Sequence, residues 1–198
     1  MAAVSHLSGL GSDDPVSLRA IARAAGVTPN AVYLHFADRD ELLLAVLDRL
    51  FAELSAVRDE AERVAAAAGG GAWQRLAARS RAYVSWGVRE PGAYRVLYEG
   101  RAVPRLTDPR NAAFGQGMLD RTVELISELV EEKSAQPAQT PARTALLLWV
   151  ALHGIVSLRI DKDTIPWPEP EELADESLMA LVRPTPFMNR GRQLPFRH

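Results

Sequence analysis

The sequence predicts an all-α protein, with an N-terminal helix-turn-helix domain of three helices followed by a larger helical domain. Apolar residues recur at intervals of three and four through most of the 198-residue chain, which is the spacing of amphipathic helices. Valine, isoleucine and threonine nowhere alternate with polar residues between turn signals, so no strand is expected. Hydrophobic residues make up 47% and charged residues 24% of the chain, as in an ordinary globular protein.

Glycine and proline divide this pattern into about eight or nine predicted helices. An apolar stripe from Leu43 to Val64 predicts a long helix over about residues 39–67. Three consecutive glycines from Gly69 to Gly71 end it, because glycine readily forms a left-handed C-cap. Further helices are predicted over about residues 72–89, 93–99, 110–131, 142–160 and 169–182.

We expect these helices to form two domains, over residues 1–50 and 51–184. Residues 185–198 have no periodicity, and we expect them to be a mobile tail.

The composition excludes several classes of site. The chain has no cysteine, so disulfides, thiol nucleophiles and thiolate metal sites are excluded. No nucleophile elbow or His-x-x-x-His pair occurs, and the histidines are scattered, at His6, His35, His153 and His198. We therefore expect no enzyme activity, no metal and no cofactor. Since neither a transmembrane run nor a secretion signal is found, we expect a cytoplasmic protein.

The most informative segment is SLRAIARAAGVTPNAVYLHF, residues 17–36. Ser17 is placed to cap a short first helix, and Gly26 can take the positive φ that a sharp turn between helices needs. Thr28 is placed to cap a second helix that has Pro29 at its first position. The following Asp-Arg-Asp-Glu is a capping-box pattern that begins the long third helix. This order predicts a helix-turn-helix.

This segment resembles the DNA-binding domain of the tetracycline-repressor (TetR) family of bacterial transcription regulators. The resemblance covers about residues 2–50, and the matching positions are Ile21-Ala22, Ala25-Gly26-Val27, Tyr33, His35-Phe36, Arg39 and Glu41-Leu42. The remainder is similar to the family's Trp-His-Gly (WHG) subgroup, whose penultimate helix bears residues matching Trp149, His153 and Gly154.

The resemblance implies a homodimer that places two recognition helices, about Pro29 to Phe36, in successive major grooves of a pseudo-palindromic operator. A small-molecule effector would release the repressor from this DNA. The family's phosphate contacts fall on Ser17, Thr28, Tyr33, His35 and Arg39. Its base-facing positions fall on Pro29, Asn30, Ala31 and Leu34. The residue types suit these roles, since short donors and cations bind phosphates and an amide pairs with adenine.

One departure from the family leaves an alternative open. The family begins with a full first helix, whereas here only its last turns are expected, at Ala2 to Leu7. Either the start codon lies upstream of Met1, or the first helix is shortened. The alternative function is a helical small-molecule-binding protein that has lost DNA binding through this incomplete helix.

Aromatic residues on the later helices predict a ligand pocket for a largely apolar effector, and the alternative is that they are core residues. The candidates are Trp86, Tyr94, Tyr98, Phe114, Met118, Trp149 and His153. The helices over 142–160 and 169–182 are the predicted dimer interface. The first of them is apolar on every side and must be covered all round, and Gly154 would allow close approach of a second helix. The alternative is a central helix buried within one subunit.

Overall fold

A computed structural model describes Ala22, Arg23, Gly26 and residues 28–98 and 109–185. Seven helices are defined in this part of the chain: α1 (Pro29–Tyr33), α2 (Arg39–Ala67), α3 (Ala72–Arg89), α4 (Pro91–Tyr98), α5 (Pro109–Glu131), α6 (Pro141–Asp161) and α7 (Pro170–Val182). No strand occurs among these residues, and the one β-bridge found there joins Ala135 to Pro184. The all-α prediction is confirmed. The expectations for Ser17, for Ala2 to Leu7 and for residues 186–198 lie outside the described residues.

The described residues fall into two compact units. The first lies within Met1–Ala56 and Arg89–Gln116, and the second within Val57–Val88 and Gly117–His198. The predicted boundary at residue 50 stays a prediction, and α2 continues through that position without a break.

In the first unit, α2 buries leucines on a face that recurs every three or four residues, and α4 supplies Ala93, Tyr94 and Val96 to the core. Aromatic rings join the two helices. The rings of Tyr94 and Tyr98 are 4.8 Å apart, and the ring of Tyr98 meets that of Phe51 edge-on at 6.3 Å.

In the second unit, α3, α5, α6 and α7 all contribute buried side chains. The largest of these are Tyr83, Leu76, Leu125, Ile126, Leu129, Leu148 and Leu178. The ends of α5 and α7 are tied by backbone hydrogen bonds from Gln136 N–H to the Arg183 carbonyl and from Thr185 N–H to the Ser134 carbonyl, both 3.0 Å. These two bonds therefore fasten the segment after α7 to the segment after α5.

Helix α2 ends as predicted. Gly69 has φ +80°, its N–H donates to the Ala66 carbonyl, and the next N–H, of Gly70, donates to the Ala65 carbonyl. This pair of bonds is the Schellman motif, and it satisfies carbonyls that the helix leaves without partners.

Helix α6 is covered on one side within the chain. Its buried residues are Thr144, Ala145, Leu148, Leu152 and Val156, while Trp149, Val150 and Leu158 are 39%, 57% and 48% exposed. The alternative of a central helix buried within one subunit is therefore wrong for this chain.

The sequence predicts no membrane-spanning segment, yet α6, alone among the described helices, is long and apolar enough to cross a bilayer by length and composition. One such helix is weak evidence for a membrane span, because core helices of soluble proteins pass the same test.

Candidate functional site

The turn before α1 has the predicted geometry. Gly26 is exposed and has φ +69°, and its N–H donates to the Arg23 carbonyl at 3.1 Å. Ala22, in the helical turn before it, is fully buried. A residue with a side chain is strained at such a φ, so Gly26 permits the sharp change of direction between the two helical segments.

Thr28 caps α1 as predicted. Its hydroxyl accepts a hydrogen bond from Ala31 N–H at 3.3 Å, and Pro29 follows at the first helical position. This pairing satisfies a backbone donor that the helix cannot satisfy itself, and the fixed φ of proline suits that position.

The recognition helix is shorter than predicted. The sequence predicts a helix to Phe36, but α1 ends at Tyr33. The N–H groups of His35 and Phe36 both donate to the Val32 carbonyl at 3.0 Å. Two amides sharing one carbonyl tighten the last turn and interrupt the regular α repeat. The candidate DNA-recognition element is therefore α1 followed by a hydrogen-bonded turn through Phe36.

Side chains of this element separate into inward and outward sets. Val32 is buried and Phe36 is half-buried, so both contribute to the first unit. Asn30 and His35 are exposed, Ala31 is half-buried, and Leu34 is 82% exposed. The outward set thus includes the predicted base-facing positions 30 and 34. Ser17 and the side chains of Pro29, Tyr33 and Arg39 lie outside what the structure describes, so their roles stay predictions.

The capping box at the start of α2 is confirmed with one difference. The Asp38 carboxylate accepts from Glu41 N–H at 2.9 Å, and the Glu41 carboxylate accepts from Ala37 N–H at 2.6 Å. In the standard box the second bond comes from the cap residue itself. The cap thus satisfies two backbone donors at the start of α2.

The candidate pocket residues lie in both units. Tyr94 and Tyr98 pack on each other in the first unit, where Tyr94 is fully buried. In the second unit Trp86 and Met118 are buried, and the rings of Trp149 and His153 lie 5.9 Å apart on α6. The side chain of Phe114 lies outside the described residues. The structure brings together two pairs of these candidates, and the pocket as a whole stays a prediction.

Sequence reasoning missed a buried arginine in the second unit. Arg58 is 7% exposed, its guanidinium donates to the Thr122 hydroxyl at 3.3 Å, and it lies over the Tyr83 ring at 5.9 Å. The pattern contained a signal, because Arg58 follows the buried Leu54 by four residues and so continues the same helix face. The core of this unit is therefore not purely apolar.

A second missed feature is an ion-pair network around Glu62, which we call the Glu62 network. Glu62 accepts from Arg75 at 3.0 Å and from Arg79 at 2.8 Å, both on α3, and also from Arg121 on α5. Arg79 in turn pairs with Asp59 at 2.6 Å. One carboxylate on α2 thus joins α2 to α3 and α5. The network is not a metal site, because no group of three or more acidic or histidine side chains among the described residues could hold a metal ion.

The charge of Glu62 is stabilised by these arginines. Burial acts to raise the pKa of its carboxyl, but hydrogen bonds from Arg121 and Arg75 lower that pKa to about 2. The Glu62 side chain is 12% exposed and that of Arg79 is 3% exposed, so water screens this pair weakly.

Two family models match this chain. The model described as "Bacterial regulatory proteins, tetR family" matches residues 14–46, which include the turn at Gly26 and α1. The model described as "Tetracyclin repressor-like, C-terminal domain" matches residues 76–183, more than half of the chain.

Individual relatives agree with these matches. The HTH-type transcriptional regulator Mb1846 of Mycobacterium bovis is 35% identical over 101 residues, which are 50% of this chain and 42% of that protein, so the similarity spans less than half of the relative's length. A structure of a protein of unknown function from Rhodococcus sp. RHA1 is 28% identical, with a TM-score of 0.72 over 91% of this chain and 92% of that one.

A third relative shares the fold at lower identity. The transcriptional regulator FadR of Bacillus subtilis, solved in complex with stearoyl-CoA, is 15% identical, with a TM-score of 0.75 over 92% of this chain and 95% of that one. At this identity the likeness concerns the fold alone.

Proposed function

Because this chain belongs to the tetracycline-repressor family of bacterial regulators, we propose that it is a DNA-binding transcriptional repressor that a small-molecule effector releases from its operator. The observation that carries the proposal is the exposed outward set on α1 and its turn, above all Leu34 at 82% exposure. At this exposure the Leu34 side chain gains little from packing within the chain, whereas the methyl group of a thymine in the major groove could contact it.

The proposed interface uses two kinds of contact. Phosphates would be bound by Ser17, Thr28, Tyr33, His35 and Arg39, and base edges by Pro29, Asn30, Ala31 and Leu34. The Thr28 hydroxyl can serve in both cap and interface, because it accepts from Ala31 N–H and can donate its own proton to a phosphate. Asn30 is the residue best suited to read a base, since its amide can pair bidentately with adenine.

We propose that the working form is a homodimer through α6 and α7. Between the start of α6 and the end of α7, five large apolar side chains are between 39% and 57% exposed: Trp149, Val150, Leu158, Ile165 and Met179. Together they present roughly 400 Å² of apolar surface, about half of what a stable interface buries per partner. A two-fold dimer also matches two recognition elements to two half-sites.

The effector is proposed to be a small molecule with a large apolar portion. The aromatic candidates support this, together with the stearoyl-CoA complex of the FadR relative. Such a molecule would have to bind the DNA-incompetent state more tightly than the DNA-competent one, since equal affinity shifts no equilibrium. We propose a cytoplasmic location, and a function of binding rather than catalysis.

The first test is to select fragments of the source genome's DNA with the purified protein and to measure affinity for the recovered motif by fluorescence anisotropy. Asn30→Ala is expected to relax specificity at one base position, losing about 10- to 100-fold of discrimination there. Arg39→Ala is expected to weaken binding to all sequences alike and to reduce the slope of log affinity against log salt by about one.

Arg49→Ala is the matched control, because Arg49 is an exposed arginine on α2, ten residues beyond Arg39. It should leave both specificity and the salt slope unchanged. If the wild-type protein selects no DNA motif, the repressor proposal fails and the alternative, a small-molecule-binding protein without DNA binding, takes its place. If a motif is bound but Asn30→Ala and Arg39→Ala behave as wild type, the placement of the interface is wrong.

A further inference from the structure

A buried cation of the second unit lies close to two of the candidate pocket residues. Arg58, on α2, is 7% exposed. Its guanidinium donates to the Thr122 hydroxyl of α5 at 3.3 Å and lies over the Tyr83 ring of α3 at 5.9 Å. Met118 precedes Thr122 by four residues and Trp86 follows Tyr83 by three, so each shares a helix face with a contact of Arg58. The part of the unit that holds Trp86 and Met118 therefore also holds a positive charge.

These two contacts fix the orientation of the Arg58 guanidinium. The Thr122 hydroxyl donates its own proton to the Met118 carbonyl at 3.2 Å, so its oxygen is turned to accept from Arg58. The Tyr83 ring lies against the cation, and the faces of aromatic rings attract guanidinium groups. A guanidinium presents its N–H donors in a planar fork that matches the two oxygens of a carboxylate. Arg58 is therefore already oriented for a ligand that carries a carboxylate.

Arg79 shows what a buried guanidinium binds in the same unit. Its side chain is 3% exposed, and it pairs with the carboxylates of Asp59 at 2.6 Å and Glu62 at 2.8 Å. Such pairs offset the cost of taking a cation out of water. The hydroxyl and the ring that orient Arg58 are neutral. An anion that reached Arg58 would therefore add a stabilisation that these two contacts do not give.

We propose that Arg58 binds a carboxylate of the effector, and that the effector is an organic acid with an apolar body. The inference rests on the proposed function, because it concerns the effector of that function. The carboxylate would form two parallel hydrogen bonds with the guanidinium, and the apolar body would lie against Trp86 and Met118. At 7% exposure, Arg58 suits a small carboxylate better than a large, strongly hydrated group such as the phosphates of coenzyme A.

The test compares two acids with uncharged molecules of nearly the same shape. Decanoate is paired with decanol and naphthylacetate with naphthylacetamide, and each is titrated into the purified full chain by calorimetry in the absence of DNA. At least one acid is expected to bind about 10-fold or more tightly than its uncharged counterpart, because only the acid meets the cation with a charge. The inference is wrong if neither acid binds, or if each acid binds no better than its counterpart.

Variants of the two polar residues locate the binding of the charge. Arg58→Met is expected to weaken acid binding at least about 30-fold and to leave the uncharged molecules unaffected. Thr122→Val should weaken acid binding about 3- to 10-fold, because Thr122 positions the guanidinium, and Thr122→Ser should restore it. Arg63→Met is the matched control, since Arg63 is on the same helix with its side chain 68% exposed. It should change no affinity.

Two results would show that Arg58 serves the fold or that another group binds the charge. Equal weakening of acids and uncharged molecules by Arg58→Met would make Arg58 a structural residue. If that variant does not fold, Arg58→Lys replaces it, and the lysine variant should keep the preference for acids at reduced affinity. Decanoyl-coenzyme A that binds more tightly than decanoate, and equally to wild type and Arg58→Met, would place the recognition of charge elsewhere.

The outcomes separate this inference from the repressor proposal. If an acid binds through Arg58 but the protein selects no DNA motif, the inference stands and the repressor proposal fails. If a motif is selected but neither acid binds, the repressor proposal stands and this inference fails. If both stand, the acid that binds should release the operator from the wild type and not from Arg58→Met, and release from both alike would contradict the role of Arg58.

Discussion

Replacing Glu62 by glutamine is expected to lower the free energy of unfolding of the second unit by about 3 kcal/mol at neutral pH. The substitution keeps the shape of the side chain but removes the charge that Arg75, Arg79 and Arg121 share. A fall in the pKa of a carboxyl from 4.5 to about 2 corresponds to a stabilisation of this size. The loss is large because the 3%-exposed side chain of Arg79 would keep Asp59 as its one charged partner in this network.

The same pKa predicts how the effect depends on pH. In the unfolded chain the pKa of Glu62 returns to about 4.5, whereas in the folded chain it is about 2. The contribution of its charge is therefore complete above pH 4.5 and is lost as the pH falls from about 4.5 to about 2. The stabilities of the wild type and of Glu62→Gln should converge toward the lower end of this range.

Chemical denaturation followed by tryptophan fluorescence measures the free energy of unfolding of the second unit. All four tryptophans lie in the sequence ranges of the second unit. Glu60→Gln is the control, because Glu60 pairs with Arg63 on the same helix at 2.6 Å while both side chains are more than half exposed. It should change stability little. Equal losses for the two variants, or a Glu62→Gln effect that persists at pH 2, would contradict the role given to the Glu62 network.

Local features of the fold were predictable because they depend on residues close together in the chain. The bounds of α2 and α3 agree with the sequence prediction, since Gly69 and Gly70 close one helix and the break after Arg89 closes the other. The end of α1 was not predictable in the same way. It depends on two amides that share the Val32 carbonyl, which is a matter of backbone geometry rather than of residue type.

Long-range polar contacts were not predictable from spacing. Glu62 and Arg121 are far apart in the chain, and nothing in a helical pattern tells which charged residues will face each other across three helices. The pocket candidates illustrate the same limit. Aromatic content predicts burial, and Tyr94 and Trp86 are buried, but the pattern does not tell that they belong to different compact units.

Leu34→Glu is expected to lower operator affinity more than 100-fold without changing thermal stability. The Leu34 side chain is 82% exposed, so the fold loses little when it is replaced. At the proposed interface the new carboxylate would lie near phosphates and bases, where it adds repulsion and removes an apolar contact. Both half-sites of a dimer carry the substitution, so a 100-fold loss needs about 1.4 kcal/mol at each.

Two further variants separate charge from shape and position. Leu34→Gln removes the apolar contact without adding a charge, so it should weaken binding less than Leu34→Glu, and the difference between the two should shrink as salt screens the repulsion. Val64→Glu places the same charge on another exposed apolar position, 53% exposed and near the far end of α2, and should leave affinity unchanged. Anisotropy titrations at several salt concentrations measure all three. Wild-type affinity in Leu34→Glu would remove the turn after α1 from the DNA interface, because a charge that faces a phosphate surface cannot leave binding unaltered.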